Sequence, residues 1–217
     1  GTYTFSGPGV NLTGLFDPNQ TGTGAYTIKY LYISDIGCKD SASQTKTVWP
    51  KPDANFGFTP PTCEKTSITF SDSSKANIGS LIKWDWQFGD GNTQTNNVVN
   101  PFTHIYQNTG SFTIQVQVTT DSGCISNPIQ KIININPLPL VDFTLPTVCL
   151  PAGTAQFTNN SSIADNSQNQ FSYLWNFGDP LSGNNNISTL KNPIHNYSSS
   201  AAYNVSLQII SKDGCQQ

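Results

Sequence analysis

The sequence predicts an all-β protein built from tandem β-sandwiches, and three observations lead to this prediction. Apolar and polar residues alternate with a period of two along several stretches, which is typical of strands with one buried face. Charged residues make up only 11% of the 217 residues, and Glu64 is the single glutamate, so long amphipathic helices are not expected. The alternating pattern also recurs along the chain, as it does in repeat proteins.

Each repeat is marked by an aromatic residue that opens an alternating strand and by a Gly-Cys pair that follows it. The strands start at Tyr26, Phe112 and Tyr203, and twelve residues after each start stands a cysteine: Cys38, Cys124 and Cys215. Successive cysteines are 86 and 91 residues apart, which is the length of one immunoglobulin-sized sandwich. The sequence therefore predicts three modules.

Two Pro-x-Pro elements, at residues 50–52 and 137–139, separate these modules. Proline fixes φ, so we expect stiff joints between neighbouring modules. We call residues 1–50 module 1, residues 51–138 module 2 and residues 139–217 module 3. Module 1 is expected to be the C-terminal part of a truncated repeat, and module 3 to lack its last strand. The chain also opens without a methionine, so we expect it to be a segment of a longer protein.

The expected strands follow from the alternation. In module 1 they are residues 25–33 and 43–49, because the opening strands are expected to be lost. In module 2 they are residues 54–58, 67–71, 81–88, 98–99, 103–106, 111–120 and 131–136. Module 3 is expected to repeat this order, and its sixth strand is expected to open at Tyr203.

The most informative stretch is an aromatic strand that runs into a tight turn, W-D-W-Q-F-G-D-G, with a partial copy, L-W-N-F-G-D-P, in module 3. Three aromatics on one face predict a buried core strand, and Asp-Gly accepts the positive φ of a hairpin turn. An Asn-Pro and a His-x-Tyr follow each copy. We expect structural roles for Trp84, Trp86, Phe88, Gly89, Asp90, Gly91, Pro101, His104 and Tyr106 in the first copy, and for Trp175, Phe177, Gly178, Asp179, Pro193, His195 and Tyr197 in the second.

This set of motifs resembles the PKD (polycystic kidney disease) domain. The second copy departs from the family pattern at Pro180 and at Ala201, where glycine is usual, and the first copy carries one extra residue between its proline and its histidine. Module 1 has no F-G-D-G and resembles the Ig-like repeats that accompany PKD domains in large Bacteroidetes surface proteins. The resemblance implies tandem Ig-like/PKD seven-strand β-sandwiches joined end to end.

The resemblance also implies a function. PKD and Ig-like repeats of this kind are similar to those of SprB-like gliding-motility adhesins, which the type IX system exports. We therefore expect a structural stalk or spacer of a secreted cell-surface adhesin, outside the cell and associated with the outer membrane. Its expected partners are neighbouring repeats, surface polysaccharide or other cell-surface proteins. The alternative is a polymer- or carbohydrate-binding accessory module of a secreted hydrolase.

No catalytic residue, cofactor or metal is predicted. Asp90 and Asp179 are candidate calcium ligands, but no D-x-D-x-D spacing surrounds them, and a turn explains Asp90 without a metal. His104 and His195 stand in separate modules, so they cannot share one zinc or catalytic site, and each is expected to hydrogen-bond a neighbouring loop. A net charge of −3 without arginine argues against nucleic acid, and no apolar run reaches spanning length, so no membrane insertion of this segment is expected.

Five cysteines suggest an oxidising compartment, and two disulfide patterns are open. Pairing within modules would join Cys63 to Cys124 and Cys149 to Cys215. The strand directions favour another pattern, because strand six spans roughly 30 Å and a disulfide requires Cα atoms within about 7 Å. In an end-to-end stack, Cys63 would instead face Cys215 of the next module. Cys38, Cys124 and Cys149 would then pair outside this segment.

Overall fold

A computed structural model describes residues 1–150 and 152–217 of the chain. It shows an all-β fold with tandem sandwiches, which confirms the predicted fold class. Short 3₁₀ helices lie at Pro18–Gln20, Gln168–Gln170 and Pro180–Asn186. Within the described residues, no helix is both long and apolar enough to cross a bilayer.

Module 1 is a three-stranded antiparallel sheet in the order β1-β2-β3, formed by Thr2–Ser6, Gly24–Ile33 and Lys39–Val48. The expectation of only two strands here is wrong, because the alternating T-Y-T-F-S stretch pairs with β2 from Thr2 to Ser6. Tyr3 and Phe5 lie opposite Tyr32 and Tyr30 and build an aromatic face on this sheet. Tyr32, which the alternation that starts at Tyr26 places on the same face as Tyr26, is nevertheless 40% exposed.

Module 2 is a seven-stranded sandwich of two antiparallel sheets, β4-β5-β8 and β10-β9-β6-β7. Its strands are β4 (Phe56–Phe58), β5 (Ser67–Asp72), β6 (Leu81–Gln87), β7 (Thr93–Asn96), β8 (Phe102–Ile105), β9 (Gly110–Thr120) and β10 (Ile129–Ile135). The strand predicted at residues 98–99 is wrong. The turn at Gly91 returns the chain at once, so β7 pairs with β6 before Val98 is reached, and Val98 and Val99 are 64% and 59% exposed.

The core of module 2 lies between its sheets and is dominated by aromatic rings. Trp86 is 2% exposed and meets Phe56 and Phe102 edge-on, with ring centroids 5.2 and 5.1 Å apart. Trp84 and Phe88, from the same face of the chain, are buried beside it. The period of two in the sequence therefore places its aromatics in the core.

Module 3 has shorter strands and, among the described residues, no counterpart of β10: β11 (Phe143–Thr144), β12 (Thr154–Gln156), β13 (Thr158–Asn159), β14 (Ser172–Asn176), β15 (Ile187–Ser188), β16 (Ile194–Asn196) and β17 (Ser206–Ile210). The sheets run β11-β13, β12-β16 and β15-β14-β17. Trp175 fills the centre of the core and contacts Phe143 and Phe157. The prediction that the sixth strand opens at Tyr203 is wrong, because β17 starts only at Ser206, where pairing with Asn176 begins.

Candidate functional site at the signature turns and the module junction

The turn after β6 holds an aspartate–histidine pair. The Asp90 carboxylate lies 2.8 Å from Nε2 of His104, and it also accepts hydrogen bonds from the backbone and side-chain nitrogens of Asn92, each at 3.0 Å. Asp90 therefore shapes its own turn and ties it to β8. Gly91 has a φ of 92°, which the Asp-Gly dipeptide predicts.

Aromatic rings fix the histidine of this pair. Phe88 stacks on His104 with centroids 4.0 Å apart, and Tyr106 meets the imidazole edge-on at 4.7 Å. The hydroxyl of buried Tyr106 donates to the Phe88 carbonyl at 3.0 Å. The phenylalanine, aspartate, histidine and tyrosine of the signature are thus one packed unit.

Glycine is required at position 89 of this unit. Gly89 has a φ of 83°, and a Cβ there would lie 2.6 Å from the carbonyl oxygen of Thr113 on β9. The chain that follows β6 can therefore pass this close to β9 only because residue 89 has no side chain.

Module 3 builds the same unit from its own signature. His195 Nε2 lies 3.2 Å from the Asp179 carboxylate, its ring stacks on Phe177 at 4.4 Å, and Tyr197 donates to the Phe177 carbonyl at 2.9 Å. A Cβ on Gly178 would lie 2.4 Å from the carbonyl oxygen of Asn204.

Pro180 changes the turn in module 3. The chain enters a 3₁₀ segment instead of a tight hairpin, and the backbone nitrogen of Asp179 donates to Oδ1 of Asn186 at 2.6 Å. The proline at position 180 thus changes the conformation of the loop, and the hydrogen-bonded pair of Asp179 and His195 is kept.

The two signature prolines differ in burial. Pro193 is buried immediately before β16, and its carbonyl accepts a hydrogen bond from the Phe157 nitrogen, whereas Pro101 is exposed just ahead of β8.

The electrostatics of these units suit a structural role. Burial raises the pKa of Asp90, but hydrogen bonds from Asn92 and His104 outweigh burial and hold it below its ordinary value. Burial, reinforced by the charge of Asp90, raises the pKa of Tyr106, so the phenol stays a neutral donor. Burial and the charge of Asp179 likewise raise the pKa of Tyr197.

Neither pair assembles a multidentate metal site in the described part of the chain. Asp90 and Asp179 each face a histidine, and among residues 1–150 and 152–217 no three His, Cys, Asp or Glu side chains are grouped to hold an ion. The two units lie in different modules, so they share no site.

The junction between modules 2 and 3 is covalent. Cys63, just after β4, forms a disulfide with Cys215, just after β17, with Cα atoms 5.7 Å apart and both residues buried. This is the interdomain pattern, so Cys63–Cys124 and Cys149–Cys215 are not formed. Cys38, Cys124 and Cys149 are free thiols in the structure, and the Cys124 sulfur lies 4.0 Å from the Trp49 carbonyl at the boundary with module 1.

Backbone hydrogen bonds reinforce this disulfide. Asn136 donates to the Thr62 carbonyl at 2.8 Å, and Glu64 donates to the Asn136 carbonyl at 3.0 Å. The Glu64 carboxylate accepts from the Leu138 nitrogen at 3.2 Å. The linker between the modules is therefore pinned to the segment that carries Cys63.

A family model of the PKD domain matches residues 49–135 and 136–217. The chain belongs to the PKD domain family. The signature residues are thus those of two tandem PKD domains, which form modules 2 and 3.

Known proteins that resemble this chain include a collagenase and two PKD domains of Vibrio proteins. The chain is 42% identical over 60 residues to Collagenase ColQ1 of Bacillus cereus (strain Q1), a match that covers 27% of this chain and 6% of the collagenase. It is 23% identical to the PKD1 domain of Vibrio anguillarum Epp, covering 41% of this chain and 96% of that one, with a TM-score of 0.36. The PKD1 domain of the Vibrio cholerae metalloprotease PrtV is 26% identical, covering 40% and 98%, with a TM-score of 0.35.

Several residues of the site were not anticipated from the sequence. Asn92, Asn186 and the pair Glu64 and Asn136 hold the turns and the junction through hydrogen bonds. Asn92 has a recognisable pattern, because an Asp two residues before a polar residue forms an Asx turn. The others act across the sequence, and no local pattern predicts them.

Proposed function

We propose that this chain is a stalk segment of a large secreted cell-surface protein, of the adhesin type that includes the gliding-motility proteins exported by the type IX system. In this role its PKD domains space and align other parts of the protein, and the chain itself performs no reaction. The observation that supports the proposal is the covalent junction between modules 2 and 3.

Two connections between the modules restrict bending more than one does. The Pro-x-Pro linker alone fixes φ at two positions but leaves the other backbone torsions between the modules free. The Cys63–Cys215 disulfide adds a second attachment, and the hydrogen bonds to Asn136 immobilise the linker itself. Load on one module therefore passes to the next through two covalent paths.

Small-angle scattering tests the proposal on the chain as it stands. The oxidised chain is expected to give a narrow distance distribution, and a Cys63→Ser/Cys215→Ser variant a broader one, because the freed joint lets the modules bend relative to each other. Cys149→Ser is the matched control, because it removes an exposed thiol and leaves the junction intact. If the oxidised chain already shows the broad distribution of a flexible tether, a stiff stalk is refuted.

The similarity to a collagenase favours a second candidate, an accessory module that holds a secreted hydrolase on an insoluble polymer. This function requires an accessible binding face. Exposed aromatics such as Tyr3, Tyr32 and Trp49 lie in and beside module 1 rather than on the sheets of the two PKD domains. Co-sedimentation with insoluble collagen, chitin and cellulose separates the candidates, since a stalk is expected to remain in the supernatant with all three.

A further inference from the structure

The signature turn of module 3 contains an Asp-Pro peptide bond that the turn of module 2 lacks, because Asp179 precedes Pro180 whereas Asp90 precedes Gly91. An Asp-Pro bond is open to hydrolysis from within. The carboxylate can attack the carbonyl carbon of its own residue, and the tertiary proline nitrogen is a better leaving group than an ordinary amide once it is protonated. The fold decides how well the reacting groups are placed.

The carbonyl group of this bond accepts two hydrogen bonds. The hydroxyl of Ser182 donates to the Asp179 carbonyl oxygen at 2.7 Å, and the Ser182 backbone nitrogen donates to the same oxygen at 3.0 Å. Two donors on one carbonyl oxygen are the arrangement that stabilises the oxyanion of a tetrahedral intermediate. Asn186 accepts from the Asp179 nitrogen at 2.6 Å, so the residue is held on both sides of its Cα atom.

The carboxylate of Asp179 is buried and keeps one oxygen available. His195 Nε2 lies 3.2 Å from Oδ2, and the side chain makes no capping hydrogen bond to the turn that follows. In module 2, by contrast, both oxygens of Asp90 are engaged, by Asn92 and by His104. Among the described residues, Oδ1 of Asp179 is therefore in a position to act as a nucleophile.

A second Asp-Pro bond, between Asp17 and Pro18, lacks this arrangement. Oδ1 of Asp17 accepts from the backbone and side-chain nitrogens of Asn19 at 3.0 and 3.1 Å, and Oδ2 accepts from the side chain of Gln20 at 3.2 Å. Both histidines of the chain are paired with other aspartates. This bond is therefore a matched control within the same molecule.

We propose that the Asp179–Pro180 bond is a self-cleavage site of module 3. Oδ1 attacks the main-chain carbonyl carbon of Asp179, and Ser182 donates to the oxyanion that forms. The bond to the Pro180 nitrogen then breaks as this nitrogen takes a proton from the His195 imidazolium, which leaves a cyclic anhydride at Asp179.

Water opens the anhydride and completes the hydrolysis. Of the two protons that this step releases, one returns to His195 and the other charges the new secondary amine of Pro180. The net reaction consumes one water and converts one peptide bond into a carboxylate and an ammonium group. Pro180 is exposed, so the amine can move away and water can enter.

Cleavage does not release the C-terminal piece. Within residues 180–217, strand β17 stays paired with β14, and Cys215 stays bonded to Cys63 of module 2. The covalent connection between the two pieces is then the disulfide alone.

The experiment incubates the purified 217-residue chain at about pH 5 and at about pH 8, on either side of the ordinary titration range of histidine. Reducing gels are expected to show fragments 1–179 and 180–217, and non-reducing gels a single species. Intact mass measurement without reduction is expected to show a chain that is one water heavier.

The pH dependence follows from the groups around the carboxylate. Two titratable side chains face Asp179, namely His195 and Tyr197. Burial raises the pKa of Tyr197, so this phenol stays protonated over the whole range. Cleavage is therefore expected to be faster at the lower pH, where the imidazolium can supply the proton.

The control bond separates self-cleavage from ordinary acid hydrolysis. In the folded chain, the bond after Asp179 is expected to break at least about tenfold faster than the bond after Asp17. In urea the two rates are expected to become equal, because the arrangement of Ser182 and His195 is lost. Equal rates in the folded chain, or no cleavage at either pH, overturn the proposal.

Three variants assign the roles, and thermal melting shows whether each of them folds. Pro180→Gly, which copies Gly91 of module 2, is expected to abolish cleavage. Ser182→Ala, in a half-buried loop position, is expected to slow it at least about tenfold. His195→Gln keeps a hydrogen-bond donor but carries no proton to transfer, so its residual cleavage is expected to lose the pH dependence.

An unchanged rate in Ser182→Ala or continued cleavage in Pro180→Gly overturns the proposal. An unchanged pH dependence in a folded His195→Gln variant also overturns it. If His195→Gln does not fold, the other two variants decide.

Discussion

Replacing Trp86 with alanine is expected to cost module 2 a large part of its stability. Trp86 is buried and packed against Phe56, Phe70, Phe88 and Phe102, so its truncation leaves a cavity that rigid rings cannot fill. Large aromatic truncations of this kind cost about 3–5 kcal/mol. The free energy of unfolding of a small domain is only about 5–15 kcal/mol in total.

A milder substitution distinguishes the two PKD domains. The indole nitrogen of Trp175 donates to the Leu190 carbonyl at 3.0 Å, whereas the buried indole nitrogens of Trp84 and Trp86 have no partner among the described residues. Trp86→Phe removes an unsatisfied polar group, which offsets the free-energy cost of the lost side-chain volume by about 1–3 kcal/mol. Trp175→Phe loses a hydrogen bond as well as volume, so it is expected to be about 1–3 kcal/mol more destabilising than Trp86→Phe.

Differential scanning calorimetry of the 217-residue chain measures both effects. Trp86→Ala should lower the transition of module 2 by at least about 12 °C, at roughly 4–8 °C per kcal/mol for a domain of this size. Trp175→Ala should lower mainly the melting transition of module 3. The reasoning is refuted if Trp86→Ala leaves the melting profile unchanged, or if the phenylalanine variant at position 175 is no more costly than that at position 86.

Two further predictions concern the signature turn. Gly89→Ala should destabilise module 2 by more than about 1 kcal/mol, because a Cβ there would clash with the Thr113 carbonyl. Gly91→Ala should cost less, because no atom lies near its Cβ position. Equal losses of unfolding free energy in urea titrations would contradict this. The lowered pKa of Asp90 contributes stability that is present above its unfolded value of 3.8 and is lost as the pH falls through the folded value. Asp90→Asn should therefore flatten the decline of stability below about pH 4, and an unchanged acid profile would exclude this contribution.

The aromatic signature allowed most of the sandwich to be predicted. Alternation places Trp84, Trp86 and Phe88 on one face, and these residues are indeed buried together. The core strands of module 2 agree with the predicted ranges to within about two residues, which is the usual uncertainty of strand ends. Local pattern was sufficient here because a strand with one buried face must show a period of two.

The errors arose where pairing, rather than pattern, decides the structure. Val98 and Val99 have high β-propensity, yet β7 is formed by the polar stretch Thr93–Asn96, because the turn places that stretch beside β6. Tyr203 lies in an alternating stretch, but residues 201–205 have no neighbouring strand in the described chain and so form no ladder. Propensity describes a side chain on a pleated surface, and it does not supply the partner strand.

The junction could be anticipated from topology although no local motif encodes it. Strands of a sandwich alternate in direction, so the end of β4 and the end of β9 lie at opposite ends of module 2, and Cys63 cannot reach Cys124. The same alternation places Cys215 at the end of module 3 that meets module 2, where the disulfide forms. By the same parity Cys124 lies at the boundary with module 1, beside Trp49. Cys63 and Cys215 therefore link two modules, because the cysteines at the two ends of one sandwich are separated by more than the reach of a disulfide.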